Sequence, residues 1–197
     1  MSEIIISPGR EPFEMRVVLH VGCGPRSTGK LHDSFHPSVW REVRLDVDPG
    51  VKPDIVASMT SMTMVESSSI DAIWSSHNLE HLFAHEVPLA LSEFYRVLRP
   101  SGFARIVVPN LQVIARLVAE DKLEDVAYRS PSGPITPLDM LYGHRASIAR
   151  GNVFMAHRTG FTPRTLTTAL TAAGFARVSV SEKGFAIYAH ADKNATA

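Results

Sequence analysis

Apolar positions along the chain fall into several short runs and a few longer periodic stretches, and the two spacings place the elements. Val17 to Val21 is a run of aliphatic residues broken only by His20, with the composition of a strand buried on both faces, and it stops at Gly22-Cys23-Gly24. A second strand is predicted over 42–47, closed by the turn signal Asp48-Pro49-Gly50; a short third lies at 54–57, a fourth at 70–74 and a fifth at 103–108. Over 86–98 the apolar residues Val87, Leu89, Ala90, Leu91, Phe94, Val97 and Leu98 recur at helical spacing, with Glu86, Glu93 and Arg96 off the main stripe. Pro100 and Gly102 end that helix, and the same spacing predicts another over 111–123.

The remaining segments carry weaker signals. Residues 1–15 read as an irregular lead-in, and 30–35 allow only a short helix before Pro37. Three prolines and a glycine exclude regular structure over 129–137, a short helix is expected within 137–150, and 151–161 reads as loop. Thr162-Pro163 is a capped helix start with Gly174 as its stop. Strands at 177–182 and 184–190 form a closing hairpin about Lys183-Gly184, with fraying from Asp192 onward. The alternation of strand and helix predicts an α/β, doubly wound, mostly parallel sheet covered by helices. A length of 197 residues fits one domain.

Composition narrows the partners. Lys plus Arg and Asp plus Glu number 20 each, so the formal net charge is zero, and no basic stripe is available to track a phosphate backbone. Nucleic acid is therefore not expected as a partner. Cys23 is the single cysteine, the first residues lack the pattern of a signal peptide, and no apolar run approaches the roughly 20 residues of a membrane helix. A cytoplasmic protein with no membrane partner is the expectation, as a monomer or homodimer.

Candidate chemistry gathers at the strand ends. In an open α/β sheet, ligands bind beyond the C-terminal ends of the strands where the strand order reverses. The stretches expected there are Gly22-Cys23-Gly24, Asp46-Val47-Asp48, Ser58-Met59 and Ser75-Ser76-His77. An acidic residue about twenty positions past the glycine turn suits a ribose, because a carboxylate accepts both hydroxyls, and Asp46 fits with Asp48 as the fallback. A phosphate is disfavoured. The run Gly24 to Lys30 has the spacing of a phosphate-binding loop, but Leu31 replaces the Ser or Thr that would hold magnesium, and Pro25 removes an N–H. Ser27 occupies the third glycine position of a dinucleotide fingerprint, and no long helix follows to receive a pyrophosphate. A nucleoside cofactor without phosphates fits better.

On these residues the chain resembles the class I S-adenosylmethionine-dependent methyltransferases. The carriers are L-H-V-G-C-G at 19–24, L-D-V-D-P at 45–49, D-I-V-A-S-M at 54–59, S-I-D-A-I-W-S-S-H-N-L-E-H at 69–81 and E-F-Y-R-V-L-R-P-S-G-F at 93–103. The resemblance implies a seven-stranded sheet whose last strand is antiparallel, with S-adenosyl-L-methionine as cofactor and S-adenosyl-L-homocysteine as product. It implies that Gly22 and Gly24 line the methionine and ribose part, that Asp46 holds the ribose and that Val47 packs on adenine. It places Ser58 and Met59 at the adenine edge, with Ser75 and Ser76 toward the methionine end. His20 and Cys23 complete the cofactor set. Two positions depart from the family: His20 stands where an acidic residue is usual, and Arg26 where a third glycine is common.

The remaining polar residues raise two further questions. His77, His81 and His85 are spaced to share one face of an unbroken helix, yet Asn78 and Glu80 read as helix-start residues and no carboxylate or thiol completes an obvious set, so no metal site is expected. Residues 139–161 concentrate Tyr142, His144, Arg145, His157 and Arg158 with little apolar periodicity, which predicts a substrate cap within 111–161. The expected activity is methyl transfer to an oxygen or nitrogen of a small-molecule acceptor, with His144 and His157 as the candidate bases. Tyr142, Arg145 and Arg158 are the candidate acceptor contacts, the arginines suiting an acidic substrate. The alternative is a cofactor-binding partner or regulatory protein that has lost catalysis, for which His20 is the support. A base-modifying enzyme is disfavoured, since Ser75-Ser76-His77-Asn78 stands where such enzymes commonly carry an Asp or Asn followed by two prolines and an aromatic.

Overall fold

In the computed structural model, which describes residues 15–27 and 29–194, seven strands form one sheet in the order β3-β2-β1-β4-β5-β9-β8. β1 (Arg16–Val21) is buried at five of its six positions, as its unbroken aliphatic run requires of a central strand. It pairs in parallel with β2 (Trp40–Asp46) on one side and β4 (Ile70–Ser76) on the other, while β3 (Ile55–Val56) extends β2 and β5 (Leu98–Pro109) extends β4. The chain winds outward in both directions from β1 and β4, so the strand order reverses between them and a crevice opens at their C-terminal ends. Of the seven, β9 (Ala186–Asp192) runs against its neighbours, pairing antiparallel with β5 and with β8 (Ala176–Lys183).

The two faces of this sheet are covered differently. α1 (Val87–Val97) turns Val87, Ala90, Leu91, Phe94 and Val97 inward, following the expected stripe and leaving Leu89 outside. α5 (Pro163–Ala172) adds Leu166 and Leu170, and its start is fixed by a capping box between Thr162 and Thr165. These side chains pack on Leu19, Val21, Ile73 and Ile106 in the main core, each full burial contributing roughly 1.5–3 kcal/mol.

Among the described residues, the opposite face is covered by chain without helix. Residues 30–35, expected as a short helix, form turns. His32 and His36 accept the N–H groups of Ser34 and Ser38 at 3.1 and 3.3 Å, satisfying donors that a helix would need, and Pro37 prevents continuation. Phe35 and Trp40, 5.0 Å apart, pack on Val18, Ala72, Trp74 and Val107 instead. Among the described residues, the helices that pack on the main core, α1 and α5, lie on one face.

Two other expectations are corrected. Within 129–137, β6 (Tyr128–Ser130) and β7 (Gly133–Ile135) form an antiparallel hairpin that turns at Pro131-Ser132, with Gly133 at φ 117 opening the second strand. Pro134 is tolerated because a two-stranded ribbon leaves alternate N–H groups unbonded. Fraying does not begin at Asp192, which closes β9; Lys193 is pinned by its ammonium donating to the carbonyls of Tyr95 and Leu98. The lead-in over 1–14 and the final residues 195–197 lie outside the described residues.

Between β5 and α5 the chain builds a separate layer. α2 (Leu111–Ala119), shorter than the expected 111–123, leads through the hairpin into α3 (Pro137–Tyr142) and α4 (Arg145–Ala149). Ile114, Ile135 and Met140 form a small core of their own. Among the described residues, no helix is long and apolar enough to cross a membrane.

Candidate active site

The glycine turn after β1 is shaped by what presses on it. Gly22 has φ 64, and a Cβ there would stand 1.9 Å from the Asn78 Oδ1, so glycine is required by Asn78. Asn78 donates to the carbonyls of Val21 (2.9 Å) and Ser76 (3.0 Å), which clamps the ends of β1 and β4 together. Cys23 is buried beneath the turn, and burial pushes its thiol up to about 11. Gly24 has φ 58, its N–H donates to Asp46 Oδ2 at 2.7 Å, and its carbonyl accepts from the buried Arg44.

Asp46 is thereby aimed by backbone. Its second oxygen accepts from Asp48 N–H at 3.0 Å, so each carboxylate oxygen takes one backbone donor and keeps further lone-pair capacity. Val47 beside it is exposed. After β3, the Ser58 hydroxyl accepts from Thr60 N–H in a tight turn that leaves Met59 half-buried against the main core. Ser75 is buried at the end of β4 with Ser76 half-buried after it. His20 is buried on β1 with Nδ1 2.6 Å from Glu42 Oε1; desolvation lowers its pKa by more than Glu42 restores. Its ring is thus engaged by β2 rather than free at the turn.

The end of β4 carries the least ordinary backbone. His77 has φ 56, a conformation that costs a non-glycine residue of order 1–3 kcal/mol, and its N–H donates to Val107 O at 2.8 Å. A single turn over Leu79–His81 follows, with Glu80 only 1% exposed. Burial would raise the Glu80 carboxyl, but the imidazoles of His77, His81 and His157 outweigh it and hold the group below its ordinary value. The carbonyl of Glu80 accepts from Arg158 N–H (2.8 Å) and Thr159 N–H (3.2 Å), which draws the returning cap chain onto this turn.

A cavity of about 780 Å³ lies between the chain that follows β4 and β5 and the layer over 111–161; Gly22, Gly24, Asp46, Val47, Ser58, Met59, Ser75 and Ser76 are not among its lining residues. Pro25, Lys30 and His77 line one side, and Tyr128, His144 and His157 the other. Both candidate bases are therefore brought to one space. His157 Nδ1 is 2.9 Å from Met140 O, and burial lowers its pKa; His144 Nδ1 is 2.8 Å from the Ser147 hydroxyl. The three candidate acceptor contacts are not among the lining residues. Arg145 is bound by Asp139 and Glu124, Arg158 lies 4.8 Å over the Phe83 ring, and Tyr142 is 63% exposed. Lys30 and Glu80 were not singled out by sequence: Lys30 follows a glycine in a turn, and Glu80 reads as an ordinary helix-start acid. His85, the third member of the sequence-spaced histidines, is exposed and outside this cavity.

Residues 19–106 match the family model described as a methyltransferase domain. No curated protein matches the chain. Among solved structures, a SAM-dependent methyltransferase from Methanosarcina mazei is 18% identical, with 93% of this chain and 94% of that one covered at a TM-score of 0.62. Another from Archaeoglobus fulgidus is 16% identical, covering 91% and 86% at 0.57. A 1,6-didemethyltoxoflavin-N1-methyltransferase from Burkholderia thailandensis, solved with 1,6-didemethyltoxoflavin and S-adenosylhomocysteine, is 16% identical, covering 91% and 72% at 0.55. Residues 19–106 thus match a methyltransferase-domain model, and the chain shares the fold of solved SAM-dependent methyltransferases, whose cofactor is S-adenosylmethionine. The residues fit it: Asp46 is held by two N–H groups with lone pairs left for a ribose.

Proposed function

We propose that this chain transfers a methyl group from S-adenosylmethionine to an oxygen or nitrogen of a small-molecule acceptor, with 111–161 acting as a cap over the acceptor. The observation that carries this reading is the cavity of about 780 Å³ between the chain that follows β4 and β5 and the cap, within the size range of small-molecule sites. When bound, the cofactor supplies an already activated methyl on a sulfonium. The protein's work is to align the acceptor, exclude water and accept a proton.

Asp46 holds the ribose, and Gly22, Gly24, Val47, Ser58, Met59, Ser75 and Ser76 form the surrounding wall. His144 or His157, both on the cavity, takes the acceptor's proton. The cofactor would supply the methyl, its sulfur keeping the electron pair of the carbon–sulfur bond, and the histidine would carry away the acceptor's proton so that charge balances. Lys30 supplies a cation at the cavity wall for an acidic acceptor, a role the sequence reading gave to Arg145 and Arg158. Those two and Tyr142 then act from the cap's outer rim. A cytoplasmic setting belongs to the same reading, with Cys23 buried and unreactive.

Calorimetry with S-adenosylmethionine and S-adenosylhomocysteine tests the first half. Binding of both is expected, and binding of neither would remove the reading. Turnover measured with a panel of hydroxyl- and amine-bearing acceptors tests the second.

A further inference from the structure

Glu80 sets an unusual problem for a buried acid. Its Oε1 is 3.2 Å from His77 Nδ1, but its Oε2 has no hydrogen-bond partner, and among the described residues it is the buried side-chain oxygen or nitrogen left bare. Burying a carboxylate oxygen without a partner is costly, so something is expected to meet it.

His77 engages the other oxygen, and the rings of His81 and His157, when neutral, cannot donate to it. His81 Nδ1 is 3.2 Å from the carbonyl of Ala156, and His157 Nδ1 is 2.9 Å from the carbonyl of Met140. A carbonyl only accepts, so each Nδ1 carries the ring hydrogen, and in the neutral ring each Nε2 keeps its lone pair. This is the backbone-anchored arrangement that orients metal-binding histidines. The two rings are 5.0 Å apart between centroids, and one ligand atom each from Glu80, His81 and His157 lies within 4.8 Å of the others. Ligands about 2.0–2.2 Å from a common ion stand roughly 3–4 Å apart, so a small closure of the three completes the set.

We propose that Glu80, His81 and His157 form a binding site for one divalent transition-metal ion of the zinc class. Two neutral imidazoles and a carboxylate are the donor set of open, three-ligand sites, which leave positions for water or substrate. Those positions face the acceptor cavity, because all three ligands line it. The inference rests on the methyltransferase reading for its purpose: the ion selects acceptors that offer an oxygen. Held there, the oxygen gives up its proton to His144, and His157 serves as ligand rather than base. The new oxygen–carbon bond forms as the carbon–sulfur bond breaks.

The test uses the full chain freed of metal by chelation, with Zn²⁺ alone as the calorimetric probe and Co²⁺ for its visible absorption. One ion per chain is expected. Glu80→Gln, His81→Ala and His157→Ala should each weaken Zn²⁺ binding by about 100-fold or more, and His85→Ala should leave it unchanged. Circular dichroism checks that each variant folds, and if Glu80→Gln fails to fold, the two histidine variants decide. Absence of stoichiometric Zn²⁺ binding, or binding unaffected by all folded variants, would overturn the site. S-adenosylmethionine binding measured on the same sample separates the two readings: cofactor without metal removes this inference alone, and metal without cofactor removes the methyltransferase reading and leaves the ion site standing.

Discussion

The crevice has two walls built by different means. The sheet side, which the proposed function assigns to the cofactor, is the end of a parallel sheet, where Gly22, Gly24 and Asp46 are held by strand register and by backbone hydrogen bonds between consecutive turns. The cap wall is short helices, one small hairpin and single turns, joined by side chains such as Asp139 and by the hold of Glu80 on Arg158 and Thr159. The first wall rests on the main core, whereas the second has a minor core centred on Ile114, Ile135 and Met140. In the proposed function, a cofactor shared by many enzymes falls to the rigid part and the acceptor to the part that is cheaper to alter.

Disturbing each wall separately sharpens that contrast. The largest effect is expected for Asp46→Ala: loss of charge-assisted bonds worth roughly 1.5–3 kcal/mol each should weaken S-adenosylmethionine binding about 100-fold by calorimetry. An unchanged affinity would place the ribose elsewhere. On the cap side, His144→Ala should lower turnover about 100-fold, within the usual range for general-base loss, with cofactor affinity untouched. Equal turnover would leave His157 or no base at all.

Smaller effects test whether the walls are mechanically separate. Gly143, at φ 96, would place a Cβ 1.9 Å from the Met155 carbonyl, so Gly143→Ala should destabilise the cap by about 2 kcal/mol. Hydrogen exchange should rise in 137–157 before it rises in the sheet; a uniform rise would mean that the two walls unfold together.

The smallest effect is a pH dependence. Burial would raise the Asp139 carboxyl, but hydrogen bonds from Thr136 and Arg145 overcome it and bring the value down to about 2. A group depressed on folding stabilises above its unfolded value and loses that contribution as pH falls through its folded value. Cap stability from Asp139 is therefore complete above about pH 4 and fades toward pH 2. Acid titration of wild type and Asp139→Asn, followed by cap hydrogen exchange, should differ in slope within that window.

Much of the sheet was legible because its signals are local. The aliphatic run into Gly22, the stripe through Phe94 and the Thr162-Pro163 start each fixed an element from neighbouring residues alone. The cap hairpin was missed because proline and glycine content excludes strands inside a sheet but not a two-stranded ribbon. Turns displaced the expected helix at 30–35 because histidine side chains compete for the same N–H groups.

The sequence by itself determined the strands that enter the main sheet, the glycine turn and the acid that faces it, because a buried parallel strand, a positive φ and a carboxylate twenty residues on are each written within a short stretch. Only the tertiary structure decided what the histidines do. Their spacing along the chain grouped His77, His81 and His85, whereas folding set His85 apart and brought His157 from the far end of the cap to stand with His81 around Glu80. That grouping depends on two backbone hydrogen bonds to the Glu80 carbonyl and on carbonyls that fix each ring, long-range contacts that no local pattern records.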